Sequence, residues 1–295
     1  MTVDDKSEGV SVVVPAYNEE SAIAADLRVI QESFRASGRP FEVIVVDDGS
    51  KDRTAEEVAR VPDIRLITHR RNRGVGAARK TGITASRYDI VITTDSDGTY
   101  PDHLMPELID RLPGQDMVVG ARTGKTVAVS WVRWPAKFFI RRLACYLTRT
   151  EIPDLNSGLR AFRKTTALKF FYLLPDSHSW EATITLAYLC NHLAVDFHPV
   201  DYYERKGKSS FHPVFDTYNY ISLVIRTTMY FNPLRIFIPA TFILGTTGLG
   251  KMTYDFFRYH HIGGFDVVLM TTAILVLCMG LLADLMVVLN RKIKN

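Results

Sequence analysis

Four short runs rich in β-branched residues recur through the first part of the chain: Val10–Val14, Phe41–Val46, Ile64–Thr68 and Ile90–Thr94. Each is too short for a helix of ordinary length and too apolar for a surface, so each reads as a buried strand. Between them, Glu19–Arg35, Lys51–Arg60 and Gly74–Ser86 place apolar residues at helical spacing. Met117–Val119 is a further strand candidate. Strands alternating with helices at this spacing predict an α/β fold with a doubly wound, mainly parallel sheet. Ligands of such sheets bind beyond the carboxyl ends of the strands. Here those ends carry Asn18-Glu19, Asp47-Asp48 and Asp95-Ser96-Asp97.

The C-terminal part follows a different pattern. Val267–Leu289 is 23 residues long with a single charge, Asp284. At about 1.5 Å per helical residue it is long enough to cross a hydrocarbon core of about 30 Å. Leu234–Met252 is a weaker candidate, with Arg235 near one end and Lys251 near the other. With Tyr254–Asp266 as a polar link, the pair reads as a transmembrane hairpin with helices near 234–254 and 267–289. Arg226 and Arg235 flank its start and Arg291, Lys292 and Lys294 its end, while the link region holds only Lys251 and Arg258. Cations gathered at both ends put those ends on the cytoplasmic side. A buried helical pair in a soluble protein is the competing reading. Asp284 is expected to face the partner helix, a second copy of the chain or the interface, not lipid.

Charge divides the same way. The formal net charge is +4, and residues 233–295 contribute six basic and three acidic side chains, which leaves residues 1–232 near neutral. A near-neutral body points to no nucleic-acid partner. Cys145, Cys190 and Cys278 lie far apart without a C-x-x-C, so neither a disulfide framework nor a zinc site is expected. The N-terminus is acidic where a signal peptide is basic. Residues 1–232 are therefore expected as a cytoplasmic domain, anchored as a multi-pass protein of the cell (inner) membrane by residues 233–295.

From Ala121 to Thr150 there are seven basic residues and no acidic one. Arg133, Lys137 and Arg141 recur at i, i+4 and form one stripe on a helix, accompanied by Trp131, Trp134, Phe138 and Phe139. Basic residues beside aromatic ones suit an interfacial helix at an anionic membrane. Such helices are expected near 129–149 and 214–230. A solvated basic face over an ordinary core helix is the alternative.

Asp95-Ser96-Asp97 is the sharpest chemical signal. Two carboxylates flanking one residue at a strand end can hold a divalent cation, which can in turn bridge to a diphosphate. Asp47 and Asp48 can accept hydrogen bonds from a ribose or base, and they equally suit helix capping and a tight turn at Gly49. Pro15, Tyr17, Asn18 and Glu19 supply an aromatic face and a carboxylate after the first strand, with Asn18 again suited to capping. Gly74-Val75-Gly76 opens a helix and can present backbone N–H groups to a phosphate. It does not continue as G-x-G-x-x-G, because position 79 is Arg, so a nucleotide-dependent oxidoreductase is disfavoured.

VVVPAYNEE (12–20), VVDDGSKDRT (45–54), RNRGVGAARKTGI (71–83), TTDSDGTYPDHL (93–104) and NSGLRAFRK (156–164) together resemble the successive motifs of family 2 glycosyltransferases of the GT-A fold. The resemblance covers about residues 8–235. With the hairpin, the chain resembles the polyprenyl-phosphate branch, which includes bactoprenol glucosyltransferases and dolichyl-phosphate mannose synthases. The resemblance implies that Pro15, Tyr17, Glu19 and Asp48, with Asp47 and Ser96 beside them, meet the nucleoside of a sugar nucleotide. It implies that Asp95 and Asp97 hold Mg²⁺ or Mn²⁺. It implies that Arg122, Ser157, Arg160, Arg205 and Lys208 handle the phosphates of donor and acceptor. Asp97, Arg122 and Arg160 are the expected catalytic residues. Thr99 stands where the mannose synthases commonly have a metal-assisting Gln, which argues against a mannose donor. A UDP-sugar is expected over a GDP-sugar.

A lipid monophosphate has a second pKa near 6 and is largely dianionic at neutral pH. It is already a nucleophile and needs charge neutralisation more than a base, so inversion by in-line attack is expected. A sugar hydroxyl as acceptor would instead need a carboxylate base, for which Asp154 and Glu181 are candidates. Two rivals remain: a processive polysaccharide synthase of the same fold and a non-catalytic membrane scaffold. The first would call for more membrane helices and a Q-x-x-R-W motif. The second is disfavoured by the presence of both Asp95 and Asp97.

Overall fold

The computed structural model describes residues 9–123, 134–177, 179–203, 222, 224–226 and 228–294. Seven strands form one sheet: β1 (Val10–Ala16), β2 (Phe41–Asp47), β3 (Ile64–Thr68), β4 (Ile90–Thr93), β5 (Met117–Arg122), β6 (Arg160–Arg163) and β7 (Val195–Val200). Their order is β3-β2-β1-β4-β6-β5-β7. The pairs β2–β3, β1–β2, β1–β4 and β5–β7 are parallel, and only β6 runs against its neighbours. The mainly parallel sheet expected from the sequence is therefore present, with one reversed strand.

Alternation along β1 builds the two faces. Val10, Val12 and Val14 join one apolar layer with Ile23, Leu27, Ile30 and Phe34 of α1 (Ile23–Ser37). Val13 joins the other layer with Ile83 of α3 (Val75–Ala85) and Trp180, Ile184 and Tyr188 further along the chain. The short helix α2 (Thr54–Ala59) follows β2, and α4 (Met105–Asp110) adds Met105, Leu108 and Ile109 to the first layer. Helix α5 (Trp134–Thr148) lies within the expected interfacial segment 129–149. α6 (Lys164–Leu168) follows β6, and α7 (Trp180–Cys190) precedes β7. Positions 129–133 and 214–221 of the expected interfacial helices lie outside the described residues, as do Arg205 and Lys208.

The hairpin consists of α8 (Leu234–Tyr259) and α9 (Gly264–Lys294). Both helices run longer than expected, and the polar link shrinks to positions 260–263. Residues 254–259 continue α8 because nothing in that stretch breaks a helix, and His260 in the left-handed region then ends it. Among the described residues one helix, over Gly264–Leu289, is long and apolar enough to cross a membrane. Leu275, Leu282, Leu285 and Met286 are more than half exposed, which is not the pattern of a core helix.

The hairpin is tied to the body at one corner. Arg235 of α8 donates through Nη1 to the Leu147 carbonyl at the end of α5. Ala144 and Leu147 of α5 pack with Ala182, Leu186 and Leu189 of α7, and Ile236 of α8 packs against the same cluster.

Helix α3 approaches the sheet closely because small residues, Ala78 and Gly82, face it. A Cβ on Gly82 would stand 2.4 Å from Val13 Cγ1 and 3.2 Å from Val46 Cγ2, on two central strands. Gly82→Ala should therefore destabilise the body by about 1–3 kcal/mol through overpacking. Denaturant unfolding of the full chain checks this, with an unchanged midpoint counting against the packing described.

Candidate active site

The carboxyl end of the sheet is assembled from two halves. In the first, the segments after β1 and β2 are laced together. Asn18 adopts a left-handed conformation (φ 56°), accepts from the Lys51 N–H at 2.8 Å and donates its own N–H to Ser50 Oγ at 3.0 Å. The Glu19 N–H donates to Thr54 Oγ1 at 2.9 Å. Asn18 thus clips two loops together, whereas the residue before α1 is Ala22. Asp47 accepts from the Ser50 N–H at 3.0 Å and closes the turn around Gly49. Tyr17 is exposed at the rim.

Asp48 is buried, and its carboxylate is fully engaged. It accepts from the Arg73 N–H at 3.0 Å and the Gly74 N–H at 2.7 Å, and lies 2.6 Å from His69 Nδ1. His69 Nε2 is in turn 2.9 Å from Thr81 Oγ1 on α3. The N-terminus of α3, expected to be open to a phosphate, is occupied by protein: the Gly74 N–H goes to Asp48 and the Ala77 N–H to the Asp176 carbonyl.

The second half forms around Asp95-Ser96-Asp97. Ser96 is buried and donates to the Pro15 carbonyl at 2.9 Å, which joins the two halves. Asp95 is one-third exposed, and its Oδ1 accepts from Arg79 Nη2 at 2.5 Å. Asp97 Oδ1 accepts from Thr99 Oγ1 at 2.6 Å, so Thr99 steadies the carboxylate.

The reversal of β6 brings the segment 156–158 to the same mouth. Thr93 pairs with Arg160, and Thr93 Oγ1 donates to the Gly158 carbonyl at 2.9 Å. A Cβ on Gly158 would lie 2.5 Å from Asp95 Oδ2, so only glycine leaves room for that carboxylate. Two hard oxygen donors at a crowded but reachable strand end fit a small divalent cation such as Mg²⁺ or Mn²⁺. Among the described residues no third His, Cys, Asp or Glu completes the set.

Tyr100 gathers the remaining pieces. Its hydroxyl accepts from the Gly158 N–H at 2.8 Å, and its ring packs edge-on against Tyr202. Arg122 forms a bidentate pair with Asp154 at 2.6 and 2.9 Å and lies 5.1 Å over the Tyr202 ring. Burial works against the Arg122 charge, but the hydrogen bonds and charge of Asp154 outweigh it and hold the guanidinium well above its usual range. Asp154 is held below the usual carboxylate range: burial opposes this, and Arg122 outweighs it.

Ser157 and Arg160 are placed behind the mouth. Ser157 Oγ is buried and donates to the Gly120 carbonyl at 2.5 Å. Arg160 is wholly buried and donates to the Ser157 carbonyl, the Glu181 carbonyl and Thr185 Oγ1. Burial, with the charge of Arg79 nearby, pulls its pKa down to about 9. The mouth thus brings together Pro15, Ser96, Asp95, Asp97 and Arg122, with Tyr17, Asp47 and Asp48 on its other half. Arg79, Tyr100, Trp180 and the Asp95-contacting role of Gly158 were not legible in the motifs. An Arg within Ala77-Ala78-Arg79, on the small-residue face of a helix, is the one sequence signal that marks it.

Residues 11–171 match glycosyl transferase family 2, and residues 232–289 match the GtrB C-terminal hairpin. The chain belongs to glycosyl transferase family 2. An undecaprenyl-phosphate 4-deoxy-4-formamido-L-arabinose transferase of Edwardsiella ictaluri is 30% identical over 247 residues, covering 80% of this chain and 73% of that protein. The protein of the same name from Pseudomonas paraeruginosa is 35% identical over 161 residues, covering 53% of this chain. The chain spans about half the length of that relative (47%). The fold is that of glucosyl-3-phosphoglycerate synthase from Mycobacterium tuberculosis, solved with Mn²⁺, UDP and glucosyl-3-phosphoglycerate. The TM-score is 0.58 at 22% identity, over 75% of this chain and 80% of that one. The sheet is thus a GT-A sheet.

Asp102 gives the site a pH signature. It is buried, accepts from Thr94 Oγ1 at 2.8 Å, and is pushed well above the usual carboxylate range by burial and by the charges of Asp26, Asp95 and Asp97. A carboxyl with a higher pKa folded than unfolded contributes stability below the unfolded value of about 4, and this is lost as pH rises through the folded value. Asp102→Asn keeps the acceptor for Thr94 and removes that loss. Its unfolding free energy should gain on the native protein as pH rises from about 4 to about 8. Parallel pH profiles for the two proteins would refute the assignment.

Proposed function

We propose that the chain is a membrane-anchored, metal-dependent glycosyltransferase. It transfers a sugar from a nucleotide diphosphate, UDP in preference to GDP, to a polyprenyl phosphate such as undecaprenyl or dolichyl phosphate. The reaction takes place on the cytoplasmic face of the inner membrane, with inversion. The observation that carries this reading is the junction of an acidic sheet mouth to an exposed apolar hairpin through α5, α7 and Arg235. Such a junction holds the chemistry at a set height beside a bilayer, where a lipid acceptor is found. The names of the relatives support the lipid acceptor, and the UDP and Mn²⁺ bound to the structural neighbour support the donor class.

In this reading Pro15, Tyr17 and Glu19 receive the nucleoside, with Asp47, Asp48 and Ser96 holding the loops that carry it. Asp95 and Asp97 hold Mg²⁺ or Mn²⁺, which supplies charge neutralisation for the diphosphate leaving group. Arg205 and Lys208 neutralise the lipid phosphate, and Arg122, held in place by Asp154, contributes the N–H donors that the ion pair leaves over. Ser157 and Arg160 shape the loop that backs Asp95. A phosphate oxygen of the acceptor attacks the anomeric carbon, the new C–O bond forms as the bond to the diphosphate breaks, and the configuration inverts. The acceptor arrives largely dianionic, so no strong base is required.

The test is to incubate the full-length protein with undecaprenyl phosphate, Mg²⁺ and a panel of sugar nucleotides and to identify the product by mass. A lipid-linked sugar formed from a UDP-sugar is expected, and absence of any lipid-linked sugar across the panel overturns the reading. Asp97→Asn should lower transfer by at least about 100-fold, the scale of losing one preorganised charge contact. Undiminished transfer would remove the metal assignment. Deleting 233–295 should leave the body at most peripherally bound to membranes. Carbonate-resistant association of the truncated protein would sink the anchoring role of the hairpin.

A further inference from the structure

Beneath the acidic mouth lies a cation that the motifs do not assign. Arg79 is fully buried on α3, and its guanidinium is ion-paired on one side to Asp95 at 2.5 Å and on the other to Glu181, at the start of α7. It lies 5.4 Å over the Trp180 ring, and the Arg160 guanidinium lies 5.9 Å from the same ring. Arg160 also donates to the Glu181 carbonyl at 3.1 Å, so the residue that anchors Arg79 is itself held. No substrate reaches a wholly buried side chain. What Arg79 can act on is the carboxylate it grips.

We propose that Arg79 is a positioning residue: from inside the protein it fixes the rotamer of Asp95 for cation binding. This role rests on the metal reading of Asp95 and Asp97. Three observations converge on it. Oδ1 of Asp95 is taken by Arg79, which leaves Oδ2 as the oxygen turned toward Gly158 at the mouth. Gly158 lets the carboxylate lie close against that strand end, where a Cβ would stand 2.5 Å from Oδ2 and 2.8 Å from Oδ1. Glu181 balances the charge of Arg79, so the pair presents little net repulsion to a cation and what remains is orientation. Groups that orient metal ligands from behind are costly to remove, typically by about 10- to 100-fold in metal affinity or activity. A lysine cannot replace the planar fork that spans two carboxylates.

Removing Arg79 alone would strand Glu181 as a buried charge, which destabilises strongly, whereas removing both partners together is often tolerated. The test therefore uses Arg79→Met combined with Glu181→Gln, and Arg79→Lys as the conservative variant. Mn²⁺ binding to the full-length, UDP-saturated protein is read from the electron paramagnetic resonance of free Mn²⁺, alongside thermal unfolding and the Mn²⁺ dependence of turnover. The double variant should bind Mn²⁺ about 10- to 100-fold more weakly. Its turnover should recover in large part at saturating Mn²⁺, and Arg79→Lys should fall between it and the native protein. A folded double variant with native Mn²⁺ affinity overturns the proposal and leaves Arg79 a purely structural ion pair. If the double variant does not fold, Arg79→Lys decides: weakened Mn²⁺ binding supports the role and native affinity refutes it. Asp95→Asn separates the two ideas. If it binds Mn²⁺ as the native protein does, the metal reading falls and this role with it. If Asp95→Asn loses Mn²⁺ while the Arg79 variants keep it, only the positioning role falls.

Discussion

Carboxylates crowd the carboxyl end of this sheet, and the fold is arranged around the cost of bringing them together. Like charges a few ångströms apart in a poorly solvated site repel strongly. Each acid here is given its own partner. Asp48 is surrounded by two backbone N–H groups and His69. Asp154 is paired with Arg122, Asp95 with Arg79, and Asp97 is steadied by Thr99. Asp102, to which among the described residues Thr94 alone donates a side-chain hydrogen bond, is pushed upward. The partners come from distant parts of the chain, so the local charge problem is also what ties α3, α7 and the segments around β5 and β6 to one point.

The sequence was most informative where periodicity is strong. β1 to β4 are nearly uniform apolar runs between helical patterns, and their limits fall within a few residues of those read from the chain. β6 and β7 were not legible for physical reasons. β6 has four residues with Arg at each end, and β7 alternates over only Val195–His198 before Pro199 interrupts it, so neither shows an apolar run or an alternation long enough to read. Both owe their strand conformation to neighbours already in the sheet. The motif residues were legible as a set, but not which of them face outward. Asp48, Ser96, Ser157 and Arg160 are consumed by internal hydrogen bonds that join segments far apart in sequence, and spacing along the chain carries no information about such bonds.

The hairpin shows how an apolar pair can be kept in register without a water-driven core. A Cβ on Gly280 would lie 2.5 Å from Phe237 Cβ, so the helices touch there only because glycine yields space, and a Cβ on Gly248 would stand 3.2 Å from Met270 Sδ and 3.3 Å from Leu269 Cβ. Close contact of this kind is what replaces the hydrophobic drive inside lipid. At the closed end Lys251 binds both Asp255 and Asp266, so one cation draws two carboxylates of the two helices together. At the open end Arg235 is fastened to α5. The charges read in the sequence as flanking signals therefore also act as clasps. Asp284 is half-buried and, among the described residues, has no such clasp, in keeping with its reading as the anomalous charge of the segment.

The reversed strand β6 gives the D-x-D its meaning. In a wholly parallel sheet the residues preceding each strand arrive at the amino end, away from ligands. Running β6 the other way delivers Ser157, Gly158 and Arg160 to the carboxyl end, opposite Thr93. Gly158 then backs Asp95, Tyr100 receives the Gly158 N–H, and Arg160 ties the turn down to Glu181, the same residue that anchors Arg79. A two-carboxylate turn by itself is common and chemically mute. What sets this one apart is that one of its carboxylates is held from beneath by an arginine and given room at the side by a glycine. Both constraints depend on strands that the apolar pattern does not reveal.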